Sequence, residues 1–157
     1  MKIPTMLRYG VRMVVTLAQK GRVVNTMELA DEMGISSLYL RQLALHLERI
    51  GIIKGFRGAK GGYLLAVNPA EINIMEIIQA YDEDFSLLDC IKRPDSCPRS
   101  PDCTTRYLWK DLSDLLKNTL QTRTLQELME QGKAINATRE RKRIGENKNV
   151  KDHPRDT

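Results

Sequence analysis

Residues 25–67 read NTMELADEMGISSLYLRQLALHLERIGIIKGFRGAKGGYLLAV, and this stretch decides the fold. Met27, Leu29, Ala30 and Met33 recur at helical spacing, and Gly34 stops the run. Asn25 followed by Glu28 predicts a capping box, in which the asparagine takes free helix N–H groups and the glutamate reaches back. After Gly34-Ile35, Ser36 is the natural N-cap of another helix, with Leu40, Leu43, Leu47 and Ile50 as its buried face and Gly51 as its end. Two short helices around a tight glycine turn predict a helix-turn-helix. The β-rich runs 51–56 and 63–67 follow at once, flanking Arg57-Gly58-Ala59-Lys60-Gly61-Gly62. That is a hairpin with a glycine-rich, cationic tip. The fold expected is therefore mainly α with a small β-hairpin: a winged helix-turn-helix domain followed by a long helix. The tip glycines are expected to let the backbone come close to a phosphate chain or a narrow minor groove, with Arg57 and Lys60 supplying charge.

Working outward, Leu7, Val11, Val14, Val15 and Ala18 share one face of a helix over Thr5 to Lys20, entered through Pro4 and stopped by Gly21. Downstream, Asn73 and Glu76 form a second capping-box pattern and announce a short helix over Ile74 to Ala80. An acidic stretch, Asp82-Glu83-Asp84, leads into a cysteine-bearing loop in which Pro94, Pro98 and Pro101 exclude regular helix. A long amphipathic helix is expected over Thr105 to Thr122, striped by Leu108, Leu112, Leu115, Leu116 and Leu120. A last helical turn begins at Thr124, boxed with Glu127. The domain plan is a DNA-binding domain over 1–81, a cysteine loop over 82–104, a dimerisation helix and turn over 105–131, and a basic, disordered tail over 132–157.

Charge is distributed unevenly. Residues 1–67 carry ten Lys/Arg against four Asp/Glu, residues 68–131 carry seven against twelve, and residues 132–157 carry eight against four. A basic front points to a nucleic-acid face at the N-terminal end. No stretch approaches the roughly 20 apolar residues of a membrane span, and Met1-Lys2-Ile3-Pro4 has no apolar signal core. The cytoplasm is the expected location. No nucleophile elbow, phosphate loop or metalloprotease motif is present, so no enzyme and no small-molecule substrate are expected.

Cys90, Cys97 and Cys103 are three cysteines inside a 14-residue window. An odd number argues against a secreted disulfide framework and for a metal or redox role. Their spacing is wider than that of a zinc ribbon. An iron–sulfur cluster, a three-cysteine zinc site, a thiol redox switch and cysteines without a role all remain open on spacing. His46 reads as a surface or partly buried side chain rather than a ligand, and His153 sits in the tail.

Three motifs in order resemble the IscR/NsrR class of winged-helix regulators: Arg8-Tyr9-Gly10-Val11, the wing from Arg57 to Leu65, and the three cysteines followed by Leu108-Trp109-Lys110-Asp111-Leu112-Ser113-Asp114. The likeness covers residues 1 to about 131 and is strongest to the IscR branch. It implies a transcription regulator that controls iron–sulfur biogenesis or related stress genes. It also implies a homodimer on a pseudo-palindromic double-stranded DNA operator, and a cluster on Cys90, Cys97 and Cys103, two-iron (2Fe-2S) ahead of four-iron. A cluster-free thiol or small-ligand sensor of the same fold, and an iron–sulfur carrier, are the alternatives.

The chain departs from the pattern. Arg106 stands where the IscR branch has a histidine ligand, and Arg8 where the NsrR branch has an aspartate; a guanidinium has no lone pair for iron. The fourth ligand is open among Asp89, Asp95, Asp102, the Glu83/Asp84 pair, Tyr107 and solvent. Arg41 replaces an acidic residue common in the recognition helix of the IscR branch. On DNA, Ser36, Ser37, Tyr39, Arg41 and Gln42 are expected at the major groove, Arg57 in the minor groove, and Lys60 on the backbone. Arg8, Tyr9 and the helix N-terminus around Thr26 are expected on phosphates.

Overall fold

The computed structural model describes residues 3–149, with side chains to residue 140. Helices α1 (Thr5–Lys20), α2 (Thr26–Met33) and α3 (Ser37–Arg49) precede strands β1 (Ile53–Phe56) and β2 (Gly62–Leu65). Next come α4 (Ile74–Gln79), α5 (Asp89–Lys92), two single 3₁₀ turns at Pro94–Ser96 and Ser100–Asp102, α6 (Thr104–Thr122) and α7 (Leu125–Asn149). The winged helix-turn-helix is formed as expected.

Its core explains the apolar spacing. Met13, Val14 and Leu17 of α1, Leu29 of α2, and Leu40, Leu43 and Leu47 of α3 are fully buried together with Ile77 of α4 and Leu125 of α7. Each such side chain stabilises the fold by roughly 1.5–3 kcal/mol relative to exposure. Ile50 is not part of this face; it caps α3 and is half-exposed.

The wing is seated on the helix-turn-helix by its own backbone. β1 and β2 pair antiparallel, with Ile53 opposite Leu65 and Phe56 opposite Gly62. Val24 and Tyr63 exchange N–H···O bonds of 2.8 and 2.9 Å, which ties β2 to the entry of α2. This contact also changes the reading of the glycines. A Cβ on Gly61 would run into the Phe56 carbonyl, and one on Gly62 into the Val24 carbonyl. Both are buried, so they serve close approach within the protein. Gly58 alone is an open tip position, at φ +97°.

Two of the three expected capping boxes form. Asn73 accepts from the Glu76 N–H (2.9 Å) while the Glu76 carboxylate accepts from the Asn73 N–H (3.1 Å). Thr124 and Glu127 reciprocate in the same way, at 3.2 and 3.1 Å. At Asn25 only half the motif exists: its side chain accepts from the Met27 N–H at 2.8 Å. Glu28 turns instead to Arg22, with Lys20 nearby. A charge-assisted pair outcompetes a neutral N–H there.

The C-terminal part is more helical than the sequence suggests. α7 continues to Asn149, which corrects the expectation of disorder over 132–149. Lys, Arg, Glu and Ala make up ten of the residues 132–149, and their intrinsic helix preference needs no apolar stripe. Residues 150–157, with His153, lie outside the described residues.

Candidate nucleic-acid interface and cysteine loop

The residues expected on DNA lie on α1, α2, α3 and the wing. Ser36 spends its hydroxyl as the α3 N-cap, accepting from the Tyr39 N–H at 3.2 Å, and Ser37 is half-buried beside it. Arg41 and Gln42 follow on α3 and are exposed. A cleft of about 330 Å³ between α3 and the wing gathers Thr26, Arg41 and Arg57 from three elements, together with Glu48, Phe56 and Tyr63. Burial pushes the Tyr63 phenol pKa up and Glu48 adds to this, with Arg41 opposing, so Tyr63 presents a neutral hydroxyl. Lys60 is exposed at the tip, and the Asn25 amide braces that tip by donating to the Gly61 carbonyl (3.4 Å).

Arg8 is exposed on α1 and donates to Thr5 Oγ1 at 3.3 Å. Tyr9 is half-buried: its ring meets Tyr39 of α3 edge-on at 6.0 Å, and the Arg12 guanidinium lies over it at 5.0 Å. Glu48 and Arg12 escaped the sequence reading, while Met27, expected on the apolar face of α2, is exposed, as is Leu38. For Leu38 there was a signal: it lies two residues before the buried Leu40, and both cannot face the core of one helix.

The cysteine loop is short turns hung between α4 and α6. Ser113, the one buried residue of α6, accepts from the Leu87 N–H at 2.9 Å and lies 3.3 Å from the Ser86 hydroxyl. That docks the loop's start on α6. Pro94 and Pro101 lie within the first residues of the two 3₁₀ turns, as their missing N–H allows. All three thiols are free and half-exposed. Cys103 caps α6, its sulfur 3.3 Å from the Thr105 hydroxyl. That hydrogen bond chiefly, then the Arg106 backbone N–H, lowers its thiol pKa. Among the described residues no three His, Cys, Asp or Glu side chains are gathered closely enough to hold a metal ion.

Beyond the loop, α6 holds large apolar side chains that the described residues leave exposed. Tyr107, Leu108, Trp109, Leu112 and Leu115 are all exposed, Leu108 by 56 % and Leu115 by 61 %. Only Leu120, at the far end of the stripe, packs against the chain's own core.

Residues 3–131 match the family model described as Rrf2, an iron-dependent transcriptional regulator. The chain belongs to the Rrf2 family. It is 34 % identical over 131 residues to Protein rrf2 of Nitratidesulfovibrio vulgaris, covering 82 % of this chain and 87 % of that one. It is 35 % identical over 139 residues to the HTH-type transcriptional regulator IscR of Pectobacterium atrosepticum, covering 87 % and 84 %. Among solved structures, IscR of T. potens aligns with a TM-score of 0.67 at 27 % identity, covering 84 % of this chain and 88 % of that one. CymR, the global cysteine regulator of B. subtilis, aligns at 0.68 and 30 % identity, covering 83 % and 97 %. The chain is thus an Rrf2-family transcriptional regulator of IscR type, and DNA binding is what that family does.

In this Rrf2-family chain, side-chain contacts run from α3 through residues 80–82 to α5 of the cysteine loop. The Tyr81 hydroxyl donates to the Leu43 carbonyl of α3 at 3.0 Å. Its ring fills the space where Gly10 of α1 lacks a side chain. Burial raises the Tyr81 pKa, keeping it a neutral donor. His46 is partly buried, with Nδ1 3.2 Å from the Ala80 carbonyl. One residue on, Asp82 pairs with Lys92 of α5 at 2.7 Å, two residues past Cys90.

The loop's donor chemistry fits an iron–sulfur cluster. Three free thiols are the ligand type that iron–sulfur clusters take. Ser100 adds an orphan: its hydroxyl is buried without a hydrogen-bond partner, an arrangement that costs about 1–3 kcal/mol unless something fills it.

Proposed function

We propose that this regulator binds a pseudo-palindromic DNA operator as a cytoplasmic homodimer, and that a cluster held by Cys90, Cys97 and Cys103 sets its operator affinity. The observation that carries this reading is the place of the cysteine loop. It is the segment between the winged helix and the open leucine face of α6, tied through Lys92 and Asp82 to the residues that grip α3. A second copy on α6 would cover Leu108, Leu112 and Leu115 and set two recognition helices side by side.

On DNA, Arg41 and Gln42 read base edges, arginine suiting guanine and glutamine suiting adenine. The exposed Leu38 suits a thymine methyl. Arg57 enters the minor groove, while Arg8, Lys60 and the α2 N-terminus at Thr26 hold phosphates. When bound, the cluster supplies an oxidation-sensitive group whose loss frees the loop. The two-iron form and target genes in iron–sulfur biogenesis follow from the family resemblance. Ordering or releasing residues 86–103 then acts on α3 through Asp82, Tyr81 and Leu43, and the shift is as large as the difference between the two states.

A second reading has its own support. The thiols are ungathered and Cys103 is acidified, which suits a cluster-free thiol switch. Anaerobic purification with iron and sulfide counts separates the two. The test of the switch is operator affinity at one salt concentration, loaded wild type against the triple Cys→Ala variant. The variant is expected to stay dimeric and to bind about 10- to 100-fold more weakly, a coupling of 1–3 kcal/mol. Equal affinities refute the switch.

A further inference from the structure

We propose that Ser100 is the fourth protein ligand of the cysteine site, filling the position that Arg106 cannot. This rests on the cluster reading above. Most of the loop around Ser100 is exposed: Pro94, Asp95, Ser96, Pro98, Arg99, Pro101 and Asp102 all face solvent. Ser100 is 4 % exposed, and among the described residues its Oγ is the buried side-chain polar atom with no partner. A serine on a surface turn can point to water at no cost, so an inward hydroxyl with nothing to bond marks a place for something else.

Its position in the chain is between two of the three cysteines. Ser100 lies three residues after Cys97 and three before Cys103, and its N–H donates to the Cys97 carbonyl at 3.0 Å. Ser100, Cys97, Asp95 and Arg106 line one cleft of about 330 Å³. Arg106 there is half-buried and offsets the negative charge that an alkoxide and thiolates bring. The oxygen donors named from sequence differ from Ser100 in being hydrated, Asp95 of the same cleft among them. Asp89, Asp95, Asp102, Glu83 and Asp84 are exposed, and Tyr107 is 72 % exposed. A hydrated carboxylate must first lose its water, whereas Ser100 is already dry. On ligation the hydroxyl gives its proton to solvent and its oxygen replaces a water on one iron, with no change in oxidation state.

The test uses full-length wild type, Ser100→Ala and Ser100→Cys, purified without oxygen. Iron and acid-labile sulfide per chain, the visible spectrum and the rate of cluster loss to a chelator are measured, with far-UV circular dichroism as the folding control. Ser100→Ala is expected to lose its cluster 10- to 100-fold faster. Ser100→Cys is expected to retain it longer and to move the charge-transfer bands to longer wavelength, as a thiolate replaces an oxygen ligand. Loaded wild type, with both variants matching its spectrum and loss rate, overturns the Ser100 assignment alone. Wild type without iron and sulfide overturns the cluster reading, and this assignment with it.

Discussion

Replacing Gly62 by alanine is expected to unseat the wing, and the structure gives the size of the effect. The glycine sits at φ +155°, and a Cβ would meet the Val24 carbonyl oxygen, its carbon and the Asn25 Cα. All three are backbone atoms, so no flexible side chain can move aside. The clash falls on the strand pair in which Val24 and Tyr63 exchange two hydrogen bonds. Opening it forfeits about 1 kcal/mol per bond, and overpacking a filled site costs about 1–3 kcal/mol. The sum is about 3–5 kcal/mol, a large share of a typical total of 5–15 kcal/mol. Gly58→Ala is the control. Gly58 also has positive φ, +97°, but nothing lies within 4 Å of its Cβ. Only the backbone strain remains there, about 1–2 kcal/mol. Urea unfolding at one fixed chain concentration compares the two, and operator titration follows the displacement of Arg57 and Lys60. If Gly62→Ala is no more destabilising than Gly58→Ala, the glycine is not held by the Val24 contact and the reasoning fails.

Arg41→Ala should relax preference at one operator position by about 1–3 kcal/mol, and Lys60→Ala should weaken all sequences alike while lowering the salt slope by about one. Uniform loss in both, across a set of operator mutants, removes α3 from base reading. Glutamate at Leu108 and Leu115 together should give a folded monomer in light scattering at micromolar concentration, and a persistent dimer would place the interface elsewhere. In cluster-free protein, Cys103 should be alkylated at lower pH than an ordinary cysteine, because the Thr105 hydroxyl hydrogen-bonds its sulfur and favours the thiolate. Thr105→Val removes that bond, so the pH profile of alkylation should move up; an unmoved profile excludes Thr105 as the cause.

What could be read from the chain and what could not divides along physical lines. The boxes at Asn73/Glu76 and Thr124/Glu127 were legible because both partners sit on one short segment and nothing competes. The same pattern at Asn25/Glu28 failed because Arg22 lies within reach, which a motif of four residues does not contain. Leucine spacing announced α6 to within one residue at its start. Spacing states which residues share a face and not what the face meets, so the exposure of Leu108 and Leu115 had to come from the structure. Gly61 and Gly62 illustrate the same limit: a glycine run signals close approach, but whether to DNA or to Val24 depends on packing across distant segments.

The cysteines were legible as chemistry and not as geometry, and the reason lies in their turns. Pro94 and Pro101 lie in the first two residues of the 3₁₀ turns, so the direction of Cys97 and Cys103 is set by short elements with little burial to hold them. Such a loop has no reason to gather three repelling thiolates unless a cation between them compensates. Ser100 was invisible for a different reason. A serine among prolines carries no periodic signal, and its burial depends on how the whole loop folds back on itself. Loop residues that go inward against their own polarity are therefore where the structure adds most. In this chain one such hydroxyl lines the same cleft as Cys97 and Arg106, the arginine that left a ligand position open.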